Sequence, residues 1–444
     1  MPAELTIYAP ATATGRAGVA VIRVSGPRSG AALAALADRT CFVPRCATRV
    51  RLREAGGALL DDALALWFPA PRSFTGEDVA ELHIHGGRAV IAAVLTALGR
   101  IDGLRQAEPG EFTRRAFVNG KLDLTQVEGL ADLVAAETSA QHRQAVRQLD
   151  GALGSLYEGW RQRLLAAMAL VEAAIDFTDQ DLPEGVDQRY RAEVQALRDG
   201  MARHLALGSR GERIREGFSV VLVGPPNGGK SSLLNRLAGR EAAIVDATPG
   251  TTRDVVEVTM DIGGLPVVVA DTAGLRRGHD RVEQEGVRRA RQRADRADLR
   301  IAVFDGATWP AVDQELLRLI DKDAVIVVNK CDLGRVGSAP EIAGRAALVV
   351  SALTGEGTEQ LVTEIGRRLQ EGFEDSGAVT ATRLRHRQGI EACLAALDRA
   401  AAETAAEVVS EELRAAAAGL GRIVGRVDVE EVLASVFSEF CIGK

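Results

Sequence analysis

The feature that most constrains this chain is a glycine-rich loop with the sequence Gly-Pro-Pro-Asn-Gly-Gly-Lys-Ser at 224–231. The loop follows an apolar run at 218–223 and precedes a stretch with helical periodicity, which is the setting that a phosphate-binding loop requires. Its N–H groups and the next helix N-terminus are expected to cradle phosphates, with Lys230 at the β- and γ-oxygens and Ser231 on Mg²⁺. The loop by itself is compatible with ATP and with GTP.

The motif Asn-Lys-Cys-Asp at 329–332 selects the base. The carboxylate of Asp332 can accept hydrogen bonds from both N1–H and the 2-amino group of guanine, and adenine offers neither donor. The run Ser-Ala-Leu at 351–353 follows an apolar strand and is expected to contact guanine O6 through its backbone. Together the motifs predict that the nucleotide is GTP.

Two further motifs complete the predicted nucleotide site. Asp271 ends a predicted strand in Asp-Thr-Ala-Gly, so it can hold Mg²⁺ through water while the N–H of Gly274 approaches the γ-phosphate. Thr251 and Thr252 lie between the loop and this strand and offer the hydroxyl that senses the γ-phosphate and Mg²⁺. The predicted GTP-binding residues are Asn227, Gly228, Gly229, Lys230, Ser231, Ser232, Thr251, Thr252, Asp271, Thr272, Ala273, Gly274, Asn329, Lys330, Asp332, Ser351, Ala352 and Leu353.

The attacking water must be positioned differently from the water in many small GTPases. Those proteins carry a glutamine after the Asp-x-x-Gly turn, where this chain has Leu275. Acidic residues that could reach the water follow the turn: Asp280, Glu283 and Glu285. Candidates for a charge-stabilising arginine are Arg253, Arg276 and Arg277. Alternatively, Asn227 could help to bind a monovalent cation that has the same electrostatic effect.

The periodicity of apolar residues divides the 444 residues into four segments. Short β-branched runs and a helix at 1–118 indicate a compact α/β or α+β unit, and helical spacing dominates 119–215. Strands alternate with helices at 216–373, which predicts a mostly parallel, doubly wound sheet, and 374–444 is helical again. We therefore predict an α/β domain inserted into a helical domain that both flanking segments build.

Composition narrows the class of protein. A net charge of −7 argues against a protein that coats nucleic acid through bulk charge, although it permits a local basic patch. No apolar run approaches the roughly 18 residues of a membrane span, so no membrane partner is expected. The first residues do not resemble a signal peptide, and five scattered cysteines do not suggest a disulfide framework. These features predict a cytoplasmic protein.

Four more sequence runs carry a family resemblance. They are Gly-Arg-Ala-Gly-Val-Ala-Val-Ile-Arg-Val-Ser-Gly at 15–26, Phe-Thr-Gly-Glu-Asp at 74–78 with Glu81, Arg-Ala-Phe-Val-Asn-Gly-Lys-Leu-Asp-Leu at 115–124, and Phe-Cys-Ile-Gly-Lys at 440–444. With the nucleotide motifs, they make essentially the whole chain resemble the tRNA-modification GTPases called MnmE or TrmE. The resemblance implies an N-terminal folate-binding and dimerisation domain, a discontinuous helical domain and an inserted Ras-like P-loop GTPase domain.

The resemblance also implies roles for particular residues. Hydrolysis is expected to depend on K⁺ and on pairing of two GTPase domains, with Glu283, Lys230 and Thr251 as catalytic residues. The K⁺ ligands carried over by position are Asn227, Asp246, Thr248 and Thr251, and the Mg²⁺ ligands are Ser231 and Thr252. A 5-formyltetrahydrofolate or related folate is expected to contact Arg23, Glu81, Lys121 and Lys444. Without the resemblance, the residues themselves favour a structural ion pair of Arg23 and Glu81 between strand-like segments.

The function implied is that of a homodimeric GTPase with an FAD-dependent partner of the MnmG or GidA type, in a heterotetramer. The pair is expected to install an aminomethyl-type group, aminomethyl or carboxymethylaminomethyl, at carbon-5 of the wobble uridine of certain tRNAs. This chain begins with no Gly-x-Gly-x-x-Gly run for FAD, which agrees with a separate flavin subunit. Two alternatives stay open: a ribosome-assembly GTPase with the same nucleotide motifs, and a folate sensor that regulates the switch.

Overall fold

The structure is a computed structural model that describes residues 5–13, 15–176, 186–239, 243–244, 257–271, 296–318, 320–337, 340–371, 379–426, 433, 436–437, 440 and 443. The chain divides into two compact units. Unit 1 consists of Met1–Ala131, Gln148–Arg191 and Arg399–Lys444, and unit 2 of Asp132–Arg147 and Ala192–Asp398. The domain bounds given above stay predictions. Among the described helices, none is long and apolar enough to cross a membrane.

The helices in the described part of the chain are α1 (Ser29–Leu36), α2 (Arg88–Gly99), α3 (Glu111–Val118), α4 (Leu124–Ala135), α5 (Ser139–Leu149), α6 (Ala152–Asp176), α7 (Val186–Glu216), α8 (Lys230–Ala238), α9 (Gln314–Leu317), α10 (Thr358–Glu371), α11 (Leu384–Ala402) and α12 (Ala406–Val424). Helices therefore fill most of the stretches where the apolar spacing predicted them. A 3₁₀ turn, Cys331–Leu333, follows a strand in unit 2.

Unit 1 contains a six-stranded sheet made of β1 (Thr6–Pro10), β2 (Ala17–Ser25), β3 (Thr48–Arg53), β4 (Leu59–Phe68), β5 (Val79–Gly86) and β6 (Leu104–Gln106). The strand order is β3-β4-β5-β2-β1-β6, and neighbours are antiparallel except for the parallel pair β1 and β6. In β2, Ile22 and Val24 are buried with Leu33 of α1 and Val94 of α2. Because side chains alternate along a strand, Arg23 projects from the opposite face of the sheet.

Two long helices of unit 1, α6 and α12, pack along each other. Leu153, Leu164 and Val171 of α6 are fully buried, as are Leu413 and Leu420 of α12. Successive residues of each set are seven or eleven positions apart, so each set lies on one side of its helix. The apolar periodicity in this part of the sequence therefore reports a helix face that is buried in the structure.

Unit 2 contains a seven-stranded sheet made of β7 (Phe218–Val223), β8 (Ala243–Ile244), β9 (Glu257–Ile262), β10 (Leu265–Asp271), β11 (Leu299–Asp305), β12 (Val325–Asn329) and β15 (Leu348–Val349), with a separate small hairpin of β13 (Glu341–Ile342) and β14 (Arg345–Ala346). The order is β15-β12-β11-β7-β10-β9-β8. The strands from β15 to β10 are parallel, and β9 and β8 are antiparallel to their neighbours. The predicted doubly wound, mostly parallel sheet is confirmed.

Both faces of this sheet are covered. Val220 and Leu222 of β7 belong to one buried cluster, which includes Leu233 of α8, while Val221 and Val223 belong to another. A parallel strand that is buried on both faces requires a nearly continuous apolar run, and 218–223 has one that only Ser219 interrupts. The burial of β7 therefore explains why its sequence is apolar at nearly every position.

The carboxyl ends of the parallel strands meet at one edge of the sheet, where α/β proteins bind ligands. Asp271 of β10 lies opposite Leu222 of β7, and Asp305 of β11 lies opposite Asn329 of β12. The glycine-rich loop begins directly after β7 at the same edge. Topology thus gathers motifs that are up to about a hundred residues apart in sequence.

Candidate functional site

The glycine-rich loop has the backbone that its function requires. Gly229, the residue before α8, adopts a φ of 87°, a left-handed conformation that side chains other than glycine strongly disfavour. Asn227 also has a positive φ, 64°, and its side chain is exposed. Because α8 starts at Lys230, its free N–H groups lie at the loop, and an anion bound there would be stabilised by these donors and by the helix dipole.

Lys230 and Ser231 place a cation and a hydroxyl at this loop. Lys230 is 5% exposed, and its Nζ donates to the carbonyl oxygens of Gly224 and Pro225 at 2.9 and 2.8 Å. The hydroxyl of Ser231 donates to Oδ2 of Asp271. A hydroxyl beside a carboxylate is an all-oxygen donor set of the kind that Mg²⁺ prefers.

Asn329 links the glycine-rich loop to the Ser-Ala-Leu run at 351–353. Its side chain is 1% exposed, and its Nδ2 donates to the carbonyl oxygen of Gly228 at 3.0 Å. Its Oδ1 accepts a hydrogen bond from the N–H of Ala352, also at 3.0 Å. One buried amide therefore holds the phosphate loop and the Ser-Ala-Leu run at a set separation.

Asp332 is held in position by Ser351. The fully buried hydroxyl of Ser351 donates to Oδ1 of Asp332 at 2.6 Å and accepts a hydrogen bond from the N–H of Thr354 at 3.1 Å. Since a carboxylate has about four lone-pair positions, Asp332 keeps acceptor capacity for two donors of a guanine edge. Leu353, by contrast, is 75% exposed.

Burial, and secondarily the nearby Glu356 carboxylate, raises the pKa of the Cys331 thiol.

Two residues that the sequence reasoning did not single out also belong to this site. Asp305 forms a salt bridge with Lys330, whose Nζ lies 2.7 Å from Oδ2. Arg236 donates hydrogen bonds to the carbonyl oxygen of Ala352, at 3.0 Å, and to that of Leu353. Asp305 could have been found, because it ends an apolar strand next to the one that ends at Asn329. Arg236 carries no local signal, since an arginine on a helix is usually just solvated.

The structure brings together the predicted residues that it describes, namely Asn227, Gly228, Gly229, Lys230, Ser231, Ser232, Asp271, Asn329, Lys330, Asp332, Ser351, Ala352 and Leu353, at one edge of the unit 2 sheet. Outside the described residues lie Asp246, Thr248, Thr251, Thr252, Thr272, Ala273, Gly274, Glu283 and Lys444. The roles predicted for those residues stay predictions.

A second candidate pocket lies in unit 1, around Arg23 and Glu81. The two residues are direct neighbours on β2 and β5, and Nε and Nη2 of Arg23 lie 3.0 and 2.9 Å from Oε1 of Glu81. Their side chains are 20% and 18% exposed. The guanidinium carbon also lies 5.2 Å from the ring centre of Phe74 and 5.8 Å from that of Phe112. The ion pair that the sequence left open is therefore present, beside two aromatic rings.

The other groups near this pocket are a histidine and a lysine. His83 Nε2 lies 3.5 Å from Oε2 of Glu81. Lys121 is exposed, and its Nζ donates to the carbonyl oxygen of Pro71 at 3.1 Å, in the same loop that carries Phe74. The pocket thus offers one carboxylate on a side chain that is 18% exposed, two cations and aromatic surface.

Comparison with known proteins covers nearly the whole chain. A family model described as the MnmE helical domain matches 124–441, and one described as the GTP-binding protein TrmE N-terminus matches 6–121. A protein of Paramagnetospirillum magneticum named tRNA modification GTPase MnmE is 56% identical over 439 residues, which is 99% of each chain. Proteins of the same name from Rhodospirillum rubrum and Parvibaculum lavamentivorans are each 55% identical, covering 99% of this chain and 99% and 100% of their own.

These matches confirm the predicted combination of an N-terminal domain, a helical domain and a P-loop GTPase domain. The relatives carry the name of GTPases, which is the activity that the nucleotide motifs predict. The identity to each of these relatives extends over at least 99% of both chains and is far above what a shared GTPase domain requires. The chain therefore belongs to the MnmE family of proteins named tRNA modification GTPases.

Proposed function

We propose that this chain is the GTP-hydrolysing subunit of a tRNA-modifying system that acts at carbon-5 of the wobble uridine. The observation that carries the proposal is the full-length identity to relatives named tRNA modification GTPase MnmE. The site in unit 2 supports it, because Asn329, Asp332 and Ser351 prearrange a guanine-binding edge beside the phosphate loop.

Each part of the nucleotide site has a chemical task in this proposal. Lys230 neutralises charge on the β- and γ-phosphates, and the N–H groups at the start of α8 orient them. Ser231 and Thr252 are the proposed Mg²⁺ ligands, and the Ser231–Asp271 hydrogen bond supports an oxygen-rich site there. Bound Mg²⁺ supplies charge stabilisation on the phosphate oxygens during hydrolysis.

Base selection can be tested by exchanging one atom. In the variant Asp332→Asn, an amide replaces one carboxylate oxygen, so a donor faces the 2-amino group of guanine. Xanthine carries an oxygen at that position, and we expect the variant to lose GTP affinity and to gain affinity for xanthosine triphosphate. If the variant and the parent have the same ratio of GTP affinity to xanthosine triphosphate affinity, Asp332 does not select the base.

We propose further that K⁺ and pairing of two GTPase domains complete the catalytic site. Asn227, whose side chain is exposed in the phosphate loop, is the described member of the proposed K⁺ ligands Asn227, Asp246, Thr248 and Thr251. A cation there would offset charge that develops between the β- and γ-phosphates, and Glu283 would orient the attacking water through a second water. Turnover of GTP should be faster in K⁺ than in Na⁺ at equal ionic strength, and equal rates would remove the cation from the mechanism.

The pocket of unit 1 is proposed to bind a 5-formyltetrahydrofolate or related folate. Glu81 can accept two hydrogen bonds from the pterin N3–H and 2-amino group, while Arg23, Lys121 and Lys444 can meet carboxylates. The position of Gly443 supports this arrangement, because it packs against the carbonyl of Pro10, at the end of the strand that pairs with the Arg23 strand. Calorimetry with 5-formyltetrahydrofolate tests the proposal: Glu81→Gln should weaken binding strongly, and unchanged affinity would end it.

The complete reaction is proposed to need a homodimer of this chain, an FAD-dependent MnmG or GidA-type subunit in a heterotetramer, and tRNA. The products would be tRNAs with an aminomethyl or carboxymethylaminomethyl group on the wobble uridine. Nucleoside analysis of tRNA from a deletion strain decides the matter, because loss of that modification is expected. An unaltered nucleoside profile, together with abnormal ribosomal particles, would support a ribosome-assembly GTPase instead, although the match of both flanking domains favours the first reading.

A further inference from the structure

The loop at 70–78, which connects β4 to β5 and is called the pocket loop from here on, is hydrogen-bonded to β2, to α3 and to the segment that follows α3. It carries Phe74, whose ring lies against Arg23, and Pro71, whose carbonyl accepts the bond from Lys121. Two of the cations proposed to meet a ligand are therefore in contact with this one loop. The geometry of the loop must influence where those two charges lie.

The first attachment of the pocket loop is to β2. The hydroxyl of Ser25 donates to Oε2 of Glu77 at 2.6 Å and lies 2.7 Å from the hydroxyl oxygen of Thr75. Ser25 and Thr75 are both 0% exposed. Since the single proton of Ser25 is directed at the carboxylate, which only accepts, Thr75 donates to Ser25. The N–H of Gly26 also donates to the carbonyl oxygen of Asp78, at 3.0 Å.

The second attachment is to α3, through Arg115. Nη1 of Arg115 lies 3.1 and 3.0 Å from the two carboxylate oxygens of Glu77, and Nη2 donates to the carbonyl oxygen of Leu5 at 2.8 Å. Arg115 is 9% exposed, so this charge is mostly removed from water and depends on its partners. Glu111 lies one helical turn earlier and accepts a further bond from Arg115 at 3.3 Å.

The third attachment follows α3 in the chain. Nδ2 of Asn119 donates to the carbonyl oxygen of Thr75 at 2.7 Å, and two residues later Lys121 donates to Pro71. The contact of Lys121 with the pocket loop is therefore coupled to that of Asn119. The same short segment that fastens the loop at Thr75 also carries the lysine.

The attachments act on the pocket because of where they lie. Ser25 is two residues from Arg23 on β2, so both project from the same face of the sheet. Thr75 is next to Phe74, so a bond at Thr75 sets the position of the ring that packs against the guanidinium. A binding site tolerates displacements of only about 0.5 Å in its contacting groups. Hydrogen bonds at Pro71 and Thr75, on either side of Phe74 in sequence, restrict how far the ring can move.

We infer that Ser25, Arg115 and Asn119 are positioning residues of the unit 1 pocket, which hold the pocket loop so that Arg23 and Lys121 face one ligand. The inference rests on the proposed folate function, and it assigns a task to two sequence runs, 74–78 and 115–124, that the nucleotide site does not use. None of the three residues has to touch the ligand. They act through the loop.

The test compares two serine substitutions in the full-length chain. Ser25→Ala removes the hydroxyl that binds Thr75 and Glu77. Ser29→Ala is the matched control, because Ser29 is also 0% exposed, lies four residues away, and has a hydroxyl with no hydrogen-bond partner in the described part of the chain. The probe is 5-formyltetrahydrofolate in calorimetry, accompanied by GTP turnover and the thermal unfolding midpoint of each variant.

We expect Ser25→Ala to weaken folate affinity by about three- to tenfold, because the two hydrogen bonds that it removes hold the pocket loop and not the ligand itself. Its GTP turnover should stay at the parental rate. The control should keep the parental affinity. Asn119→Ala gives a second measurement at an exposed residue, where folding is not at risk, and should weaken affinity in the same direction. A purely structural role would instead lower the unfolding midpoint of the variants and leave the affinity of the folded protein unchanged.

The outcomes separate the two hypotheses. If Glu81→Gln binds folate as the parent does, or the parent binds none, the proposed folate function is wrong. If Glu81→Gln loses binding while Ser25→Ala and Asn119→Ala keep it, the pocket is a folate site and the positioning role is overturned. Loss of affinity in all three, with Ser29→Ala unaffected, supports both.

Discussion

Removing the side-chain amide of Asn329 should weaken binding of GTP and GDP equally. This amide links three segments at the candidate nucleotide site: its own strand end, Gly228 in the glycine-rich loop and Ala352 in the run at 351–353. The variant Asn329→Ala breaks both links without touching the γ-phosphate side of the site. The ratio of GTP to GDP affinity should therefore stay at its parental value.

The magnitude follows from the two hydrogen bonds. Each contributes about 0.5–1.5 kcal/mol, and a buried partner left unsatisfied costs about 1–3 kcal/mol. Gly228 is buried and Ala352 is half-buried, so we take the combined effect as about 2–4 kcal/mol. If nucleotide binding has to restore the broken arrangement, this corresponds to a loss of affinity of about 30-fold to several hundred-fold, at about 1.4 kcal/mol per factor of ten.

The assay is a fluorescence titration with labelled GTP and GDP, repeated by calorimetry with the unlabelled nucleotides. Asn235→Ala is the matched control, because it is the same substitution at an exposed position of α8 with no described side-chain hydrogen bond. Affinities of Asn329→Ala within about threefold of the parent, with an unchanged unfolding midpoint, would refute the view that this amide holds the two loops together.

Three further predictions concern unit 2. Gly264→Ala should destabilise it by about 1–3 kcal/mol in denaturant unfolding, because φ is +85° and a Cβ would lie 2.5 Å from Oγ of Ser139. Burial, and then the positive charge of His386, lowers the pKa of His204 to about 4, so the free energy of unfolding should fall by up to about 1.4 kcal/mol per pH unit as pH drops from about 6.5 towards 4. Burial raises the pKa of Cys393 to about 12, so native protein should resist alkylation there at mildly alkaline pH, as read by mass spectrometry.

Each of these has an internal comparison. Gly334→Ala shares a positive φ, +67°, but its Cβ would meet no described atom within 4 Å, so a cost equal to that of Gly264→Ala would show that the contact with Ser139 is irrelevant. His204→Gln should flatten the acid limb of the stability curve, because the unfolded state then has one fewer proton to take up, and an unchanged slope contradicts the assignment. Exposed Cys41 and Cys46 should be alkylated in the same native sample, and equal modification of Cys393 would contradict its burial.

The elements of the nucleotide domain were largely predictable. The strand at 218–223 coincides with the apolar run that precedes the glycine-rich loop in the sequence. Five of its six residues are apolar because both faces of the sheet are covered, and this pattern is visible without a structure. The helix of Ala152–Asp176 was equally visible, since its buried leucines recur at helical spacing.

Side-chain pairings were less accessible, and the reason is that they depend on register. The sequence left open whether Arg23 and Glu81 form an ion pair, because a shift of one residue between β2 and β5 would place them on opposite faces. The salt bridge of Lys330 with Asp305 was missed for a related reason: it requires that β11 and β12 be neighbours. Arg236 joined the site only because α8 passes beside the run at 351–353.

The sequence by itself determined the local chemistry of this protein: a phosphate loop whose Gly229 permits the backbone before α8, an acidic residue at 332 suited to guanine, and the family to which the chain belongs. Tertiary structure alone decided how Asn329 bridges two loops, how Ser351 orients Asp332, and how Ser25, Arg115 and Asn119 fasten one loop from three sides. Loop conformation is encoded by neighbouring residues, whereas these bonds form only when strand order and helix packing bring distant segments within about 3 Å of each other.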